Sequence, residues 1–378
     1  MAAMFRPGQK EMPNVVSFIY ANHSFDRTAQ ADVQEIANKI NLTFAEVIRN
    51  SSWIDNNTKE LLIEKLQRIT TKFGYSGSLF NMTSLEHPFK YVPDLALNSS
   101  FLEVYARIRN NAHIKQLEKL REGETDDGVW IIKKTLDDCY YCGSTLKLDF
   151  PMEFFQAPFY SHGLPRSLNY GSFGAAFAHQ LFHDFHTEGK CRYYGGTPCD
   201  VFGSDSYCKC NTSAECFHRL YKNTTEPVYT RLVEAALEKY LNEGKNETAK
   251  LAEIYYIGGF PEFTRRRVDA NIADSSGLKM ALLAYQKLLE EECDGVDTRL
   301  DGLEELSGMQ LFYIGRAMTL CTTLSEEGLL ELMTSNMEGP NVYRINLTMQ
   351  NDEGFAQAFN CSKDSAMYRE AEERCSLW

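Results

Sequence analysis

Between Val33 and Ile48 the apolar residues Val33, Ile36, Ile40, Phe44, Val47 and Ile48 recur at intervals of three and four, the period of a helix that buries one face. That pattern predicts a helix over 28–50 and commits this part of the chain to a helical layer. A second helix is expected after Asp55, with Leu61, Leu62, Leu66 and Ile69 inside and an end near Gly74. Residues 98–120 form a third candidate. Leu278, Leu282, Leu283 and Leu288 line one side of a long helix expected over 276–292, with Asp269 and Ala270 on a separate helix preceding it. Short β-like runs at 129–132 and 146–150 fall between these helices. The fold class is therefore read as mainly α with a small β-sheet, α+β. The shift from helical to β-like pattern places a domain boundary between residues 128 and 129. With 23 Phe and 20 Tyr among 378 residues, the chain has enough apolar bulk for one composite domain or two. Internal repeats, coiled-coil heptads and low-complexity tracts are absent from the sequence.

Chemistry first surfaces at His179-Gln180-Leu181-Phe182-His183. Residues at i and i+4 share one helix face, so His179 and His183 could aim two imidazoles at one Zn²⁺. In a helical zinc peptidase the residue after the first histidine is a glutamate that takes the proton from the attacking water. Gln180 has no carboxylate to hold that proton. By itself the spacing is weak evidence, because two histidines on a partly apolar helix also serve as packing and hydrogen-bonding residues.

The surrounding blocks sharpen it. Gln156, Pro158 and Phe159, then Leu168-Asn169-Tyr170-Gly171, lead into the histidine pair. Downstream come Asn271-Ile272-Ala273-Asp274, Gln310-Leu311-Phe312, Ala358-Phe359-Asn360-Cys361 and Cys375-Ser376-Leu377-Trp378. Upstream stand Ser52-Trp53-Ile54-Asp55 and Thr58-Lys59. In this order and spacing the blocks resemble the neprilysin-like (M13) zinc metallopeptidases, over nearly the whole chain. The resemblance implies a zincin, thermolysin-like peptidase domain over 129–378, preceded by a helical region at 1–128 that corresponds to the end of the family's N-terminal part. Zinc is the cofactor it implies.

The departures from the family pattern gather at the chemistry. The family's third zinc ligand, a glutamate, falls at Ala270, which has no donor atom, while the aspartate that supports the first histidine is retained as Asp274. The histidine that stabilises the oxyanion falls at Glu338, within Asn336-Met337-Glu338-Gly339-Pro340, and a carboxylate has the wrong sign for that task. The substrate-binding edge strand appears as Asp138-Cys139-Tyr140-Tyr141, and the arginine that holds a substrate carbonyl is kept as Arg344. Asn336 and Glu338 therefore count, with Gln180, as degenerate catalytic positions. His179 and His183 are expected to hold zinc weakly or not at all. His186 and Asp269 are candidate replacements for the third ligand. About 10 Å of helix separates residues seven apart, too far for His179 and His186 to share one ion, and Asp269 points about 100° away from its neighbour Ala270.

Eleven Asn-x-Ser/Thr acceptors occur, at Asn22, Asn41, Asn50, Asn56, Asn81, Asn98, Asn211, Asn223, Asn246, Asn346 and Asn360. Together with 11 cysteines they suggest an extracellular protein, secreted or the ectodomain of a type II membrane protein whose anchor this chain lacks. The resemblance pairs Cys216 with Cys375 and places the partners of Cys321 and Cys361 in a missing N-terminal half. Cys191, Cys199, Cys208 and Cys210 suit a local disulfide loop better than the paired spacing of a zinc knuckle. No apolar run is long enough for a signal peptide core or a membrane span. A net charge of −13 disfavours nucleic acid and anionic membranes as partners, and Arg265-Arg266-Arg267 reads as a solvated loop. The expected function is a peptide- or partner-binding pseudoprotease. The competing expectations are an active zinc endopeptidase with a rearranged metal site and a truncated paralogue without function.

Overall fold

The structure, a computed structural model, describes residues 11–24, 27–75, 77–96, 98–122, 140–142, 146–185, 204–246, 260–335 and 338–378. It is mainly helical. The helices used below are α1 (Pro13–Ser24), α2 (Arg27–Asn50), α3 (Asn56–Arg68), α4 (Phe101–Glu122), α5 (Ala175–Phe182), α6 (Ser204–Asn242), α7 (Phe260–Glu292), α8 (Gly308–Thr319), α9 (Glu326–Ser335), α10 (Asn341–Gln350) and α11 (Glu353–Ala358). Strands β1 (Thr70–Phe73), β2 (Tyr140–Cys142) and β3 (Lys147–Phe150) form a small sheet in the order β1-β3-β2, which leaves β2 at an edge. Thr70 N donates to Leu146 O at 3.0 Å and Gly74 N to Phe150 O at 2.8 Å, a constant offset that belongs to a parallel pair. The 129–132 run expected as a strand lies outside the described residues.

Two compact units interleave along the chain. One comprises Met1–Gln30, Thr71–Tyr140 and Asp149–Phe155. Within it, Phe18 and Tyr75 both meet the Phe80 ring edge-on, and buried Asn111 ties a turn together by accepting from Tyr91 N and donating to Pro88 O.

The other unit, Ala31–Thr70, Tyr141–Leu148 and Gln156–Trp378, carries the sequence blocks singled out above, and several have a structural reason. Asp55 caps α3 by accepting from Thr58 N at 2.9 Å and from the Thr58 hydroxyl at 2.6 Å, while Lys59 bonds the Arg49 carbonyl. Asn169 grips the loop before α5 through both the N–H and the carbonyl of Ser161. A π turn over Tyr170–Gly174 then feeds α5. There the Phe312 carbonyl sits against Gly171, where a Cβ would fall 1.9 Å from its oxygen, so only glycine fits. Gln310 completes a capping box with Ser307 at the start of α8 and sends Leu311 and Phe312 into the core. At the C-terminus, Trp378 closes an aromatic cluster with Phe44 at 5.0 Å and Trp53 at 5.4 Å, and Phe44 also meets Phe182 at 4.6 Å. Lys279 bonds the Trp378 main-chain oxygen, and Cys216 is disulfide-bonded to Cys375.

The helices expected at 28–50 and 98–120 are present as α2 and α4. The helix expected after Asp55 is present as α3 but stops at Arg68, short of Gly74: Ile69 caps it in an extended conformation, and the β-branched run that follows enters β1 and pairs with β3. A second expectation is also corrected. Asp269 and Ala270 do not lie on a separate helix before residue 276, because α7 runs unbroken for 33 residues from Phe260 to Glu292. The Ser275-Ser276-Gly277 stretch lies inside it. At Gly277 a Cβ would stand 2.6 Å from the His179 backbone nitrogen, so the glycine is there to let α7 and α5 touch.

Candidate metal centre

That close contact sets the site. α5 is sealed on its apolar sides, with Phe177, Leu181 and Phe182 all at most 1% exposed, and it turns His179 and His183 toward one point. Their Nε2 atoms are 3.0 Å apart and the rings meet at nearly a right angle. Glu338, on the segment leading into α10, brings Oε1 to 3.4 Å from His179 Nε2. Among the described residues, His179, His183 and Glu338 form the group whose ligand atoms all lie within 4.8 Å of one another and could hold a metal ion.

Behind the first histidine stands Asp274 of α7, fully buried, with Oδ1 2.8 Å from His179 Nδ1. The contact is too bent for a straight hydrogen bond and is chiefly electrostatic. Asp274 is itself clamped by Arg316 Nη2 at 2.6 Å and by Arg344 through Nε at 2.8 Å and Nη2 at 2.9 Å. The remaining arm of Arg344, Nη1, pairs with Glu338 Oε2. Two guanidinium groups thus face two carboxylates in a water-poor pocket, an arrangement that neutralises its own charge.

The electrostatics follow from these contacts. Burial would push the Asp274 carboxyl up, but Arg344, His179 and Arg316 outweigh it and hold it well below the usual carboxylate range. Burial opposes ionisation of Glu338 as well, and Arg344 and the two histidines overcome it, keeping its pKa far below the ordinary value. His179 is pulled down by burial and raised further by Asp274 and Glu338, with a net upward shift. Burial lowers Arg316 despite the attraction of Asp274. With Asp274 ionised, the imidazole proton is favoured on Nδ1, which leaves Nε2 of His179 as the lone-pair nitrogen facing His183 and Glu338.

The expected site residues sort as follows. His179, His183 and Asp274 come together. Ala270 is buried one turn before Asp274 on α7 and contributes a methyl group. Gln180 is half-buried beside His179. Arg344 is buried at 4% exposure and engaged by both carboxylates. Asp269 is buried and does not belong to the ligand group. Asp138, Cys139, His186, Asn336, Cys191 and Cys199 lie outside the described residues, as do the side chains of Cys208, Cys210 and Arg265 to Arg267. Cys293, Cys321 and Cys361 carry no disulfide. Of the sequon asparagines, Asn22, Asn50, Asn56, Asn81, Asn98, Asn223, Asn246 and Asn360 are exposed, Asn41 and Asn346 are half-buried, and the Asn211 side chain is not described. The third residues of the Asn56 and Asn346 sequons, Thr58 and Thr348, are buried.

Sequence reasoning did not place Glu338 beside the histidine pair and read it only as a charge of the wrong sign. It looked for a third donor in His186 and Asp269. The available signal was a carboxylate two residues before Pro340, but nothing local says where such a segment lands. Arg316 was not singled out either.

Paired imidazoles one turn apart on a buried helix, a facing carboxylate and an aspartate behind the first ring make up the framework of a helical zinc-peptidase centre. The comparisons give the family. The profile of peptidase family M13 matches residues 138–252 and 263–375, and a second M13 profile matches residues 8–76. The chain belongs to peptidase family M13. It is 27% identical to Membrane metallo-endopeptidase-like 1 of Mus musculus over 373 residues, covering 97% of this chain and 44% of that protein. It is also 27% identical to Neprilysin of Homo sapiens over 371 residues, with the same coverage of each. The chain thus spans less than half the length of these curated relatives. Among solved structures, the Mycobacterium tuberculosis zinc metalloprotease ZMP1 in complex with inhibitor superposes with a TM-score of 0.72 at 20% identity, over 98% of this chain and 50% of that one. The mainly helical fold with a small sheet is the fold of M13 metalloproteases.

Proposed function

We propose that this chain is a non-hydrolytic M13 homologue, an extracellular protein that binds a peptide or protein partner on a metallopeptidase scaffold. The observation that carries the reading is Gln180, adjacent to His179 where a proton acceptor is required. An amide donates and accepts hydrogen bonds but does not take up a proton near neutral pH, and general-base catalysis is typically worth about 10²–10⁴-fold. Glu338 is a poor substitute base, because Arg344 holds its outer oxygen and favours its ionised form. Arg344 in turn has three donors committed to carboxylates, so a partner peptide is held by main-chain pairing along the edge strand β2. The sequon set and the Cys216–Cys375 bridge support an extracellular setting. Among the described residues no helix is long and apolar enough to cross a membrane.

A second reading, an active zinc endopeptidase with a rearranged ligand set, is favoured by the presence of the His179, His183 and Glu338 group itself. Bound zinc would polarise a carbonyl or a water, but Gln180, at the position beside it, cannot receive the proton. The deciding experiment is cleavage of a quenched fluorescent peptide library by the glycosylated, zinc-supplemented protein with and without chelator. No chelator-sensitive turnover is expected. Turnover by the wild type that chelator abolishes and zinc restores would overturn the proposal.

A further inference from the structure

We infer that Glu338 is the third protein ligand of a divalent metal site in this chain, taking over from the donor-less Ala270, and that Arg344 is the residue that positions it. The inference rests on the M13 reading of the histidine pair but not on whether the protein turns over peptides.

The geometry is that of a ligand set. Zinc binds imidazole nitrogen and carboxylate oxygen at about 2.0–2.2 Å, and ligands on a tetrahedron of that size stand roughly 3.3–3.6 Å apart. The spacings are 3.4 Å from His179 Nε2 to Glu338 Oε1, inside that range, and 3.0 Å between the two Nε2 atoms, a little under it. Lone-pair nitrogens this close repel unless a positive centre lies between them. The alternative is a proton shared among the same atoms, with Glu338 acting only as a partner for Arg344.

A carboxylate has lone pairs for both tasks. Oε2 faces Arg344 Nη1 and Oε1 faces the histidines, so the arginine fixes the rotamer without consuming the inner oxygen. The other edge of the same guanidinium binds Asp274, which lies against His179 Nδ1. One side chain therefore sets the orientation of two ligands, the usual work of groups behind a metal site. The ligand has moved from α7, where Ala270 sits, to the segment before α10, and Gly339 at φ +76° followed by Pro340 gives that segment its turn. Two nitrogens and one oxygen suit Zn²⁺, Co²⁺ or Ni²⁺ better than the hard Ca²⁺ or Mg²⁺.

The test is calorimetric titration of Zn²⁺ into chelator-stripped protein, paired with the visible absorption spectrum of the Co²⁺-loaded form and with circular dichroism to confirm folding. Wild type should bind one equivalent and give the intense visible bands of a low-coordinate cobalt site. Glu338→Gln, close to isosteric, should weaken binding by more than about 100-fold and change the cobalt spectrum. Arg344→Lys, which keeps the charge but loses the two-edged hold, should weaken it by about 10–100-fold. Ala270→Glu placed in the Glu338→Gln background should recover affinity by returning a carboxylate to α7. If folded wild type takes up no metal, or Glu338→Gln binds as tightly as wild type while His179→Ala does not, the assignment is wrong. Peptide turnover assayed on the same samples reads the proposed function separately, since a metal-loaded but inert wild type satisfies both proposals and a metal-loaded active one overturns only the first.

Discussion

Two buried ionic clusters flank the histidine-bearing helix, and they are built on different principles. Just beyond the end of α5, Lys65 and Asp184 form a pair with both side chains 1% exposed, Nζ lying 3.2 Å from the carboxylate and 2.6 Å from the Asp184 carbonyl. The ammonium also lies over the Phe185 ring at 5.3 Å. A positive charge at this position offsets the negative end of the helix and holds the backbone immediately after His183. Along α5 itself, Asp274 and Glu338 face Arg316 and Arg344, with two imidazoles added. Among the described residues the first cluster sets one ammonium against one carboxylate with a backbone carbonyl to fix it, and it is architecture. The second has ring nitrogens aimed at each other, which no structural ion pair needs, and that surplus separates a place for a ligand from a place for a strut.

The comparison breaks most readily at Lys65. Removing Lys65 takes from buried Asp184 the cation described beside it, and losing one partner of a buried ion pair costs about 3–5 kcal/mol. Lys65→Met should therefore lower unfolding stability in urea by that amount, and a second change, Asp184→Asn, should return a large part of it. A loss below about 1 kcal/mol for the single variant would mean that the pair is solvated on opening and is no strut.

Arg316→Met sharpens the same contrast. Arg316 is 3% exposed and bonds Asp274 at 2.6 Å, yet Asp274 keeps Arg344 on both oxygens after the change. A network with a second cation in place should lose less than the Lys65–Asp184 pair, about 1–3 kcal/mol, measured in the same urea titration. If Arg316→Met proves as damaging as Lys65→Met, the second cluster is also a strut and its two arginines act as one unit.

What the sequence revealed, and what it hid, divides along the same line. α2 and α3 were legible because one face of each is buried, which forces the three-four spacing seen at Val33, Ile36, Ile40 and Phe44, all at most 7% exposed. The family blocks were legible because caps and tight contacts demand particular residues, as with Asp55 and Thr58 or Gly171 under the Phe312 carbonyl. The continuity of α7 was not. Ser-Ser-Gly carries a helix-ending signal, and here a tertiary demand, room for the His179 backbone, overrides it. The partners of the site were the least legible. Lys65 meets Asp184 across 119 residues and Glu338 meets His179 across 159, and no local pattern encodes a contact set by where two distant segments come to rest. Substitution at a familiar position was readable as loss. The nearness of Glu338 to the histidine pair appeared only once the segment had a place in space.

A third cluster, half exposed, extends the series to its weak end. Asp32 on α2 accepts from the Tyr160 hydroxyl and lies 2.9 Å from His162 Nδ1. Burial raises its carboxyl pKa, but the hydrogen bonds from Tyr160 and His162 and the nearby charges of His162 and Arg166 outweigh that effect and bring it below the ordinary value of 3.8. A carboxylate whose folded pKa is depressed stabilises the native state above its unfolded pKa, and that contribution is lost as pH falls through the folded value. Asp32→Asn should therefore reduce stability slightly near neutral pH, and the difference from wild type should shrink as the solution is acidified below 3.8. Because the side chain is 35% exposed, solvent screening keeps the effect the smallest of the three. Thermal unfolding of both proteins across the acid range checks it, and parallel curves at every pH would show that Asp32 has no depressed carboxyl to titrate.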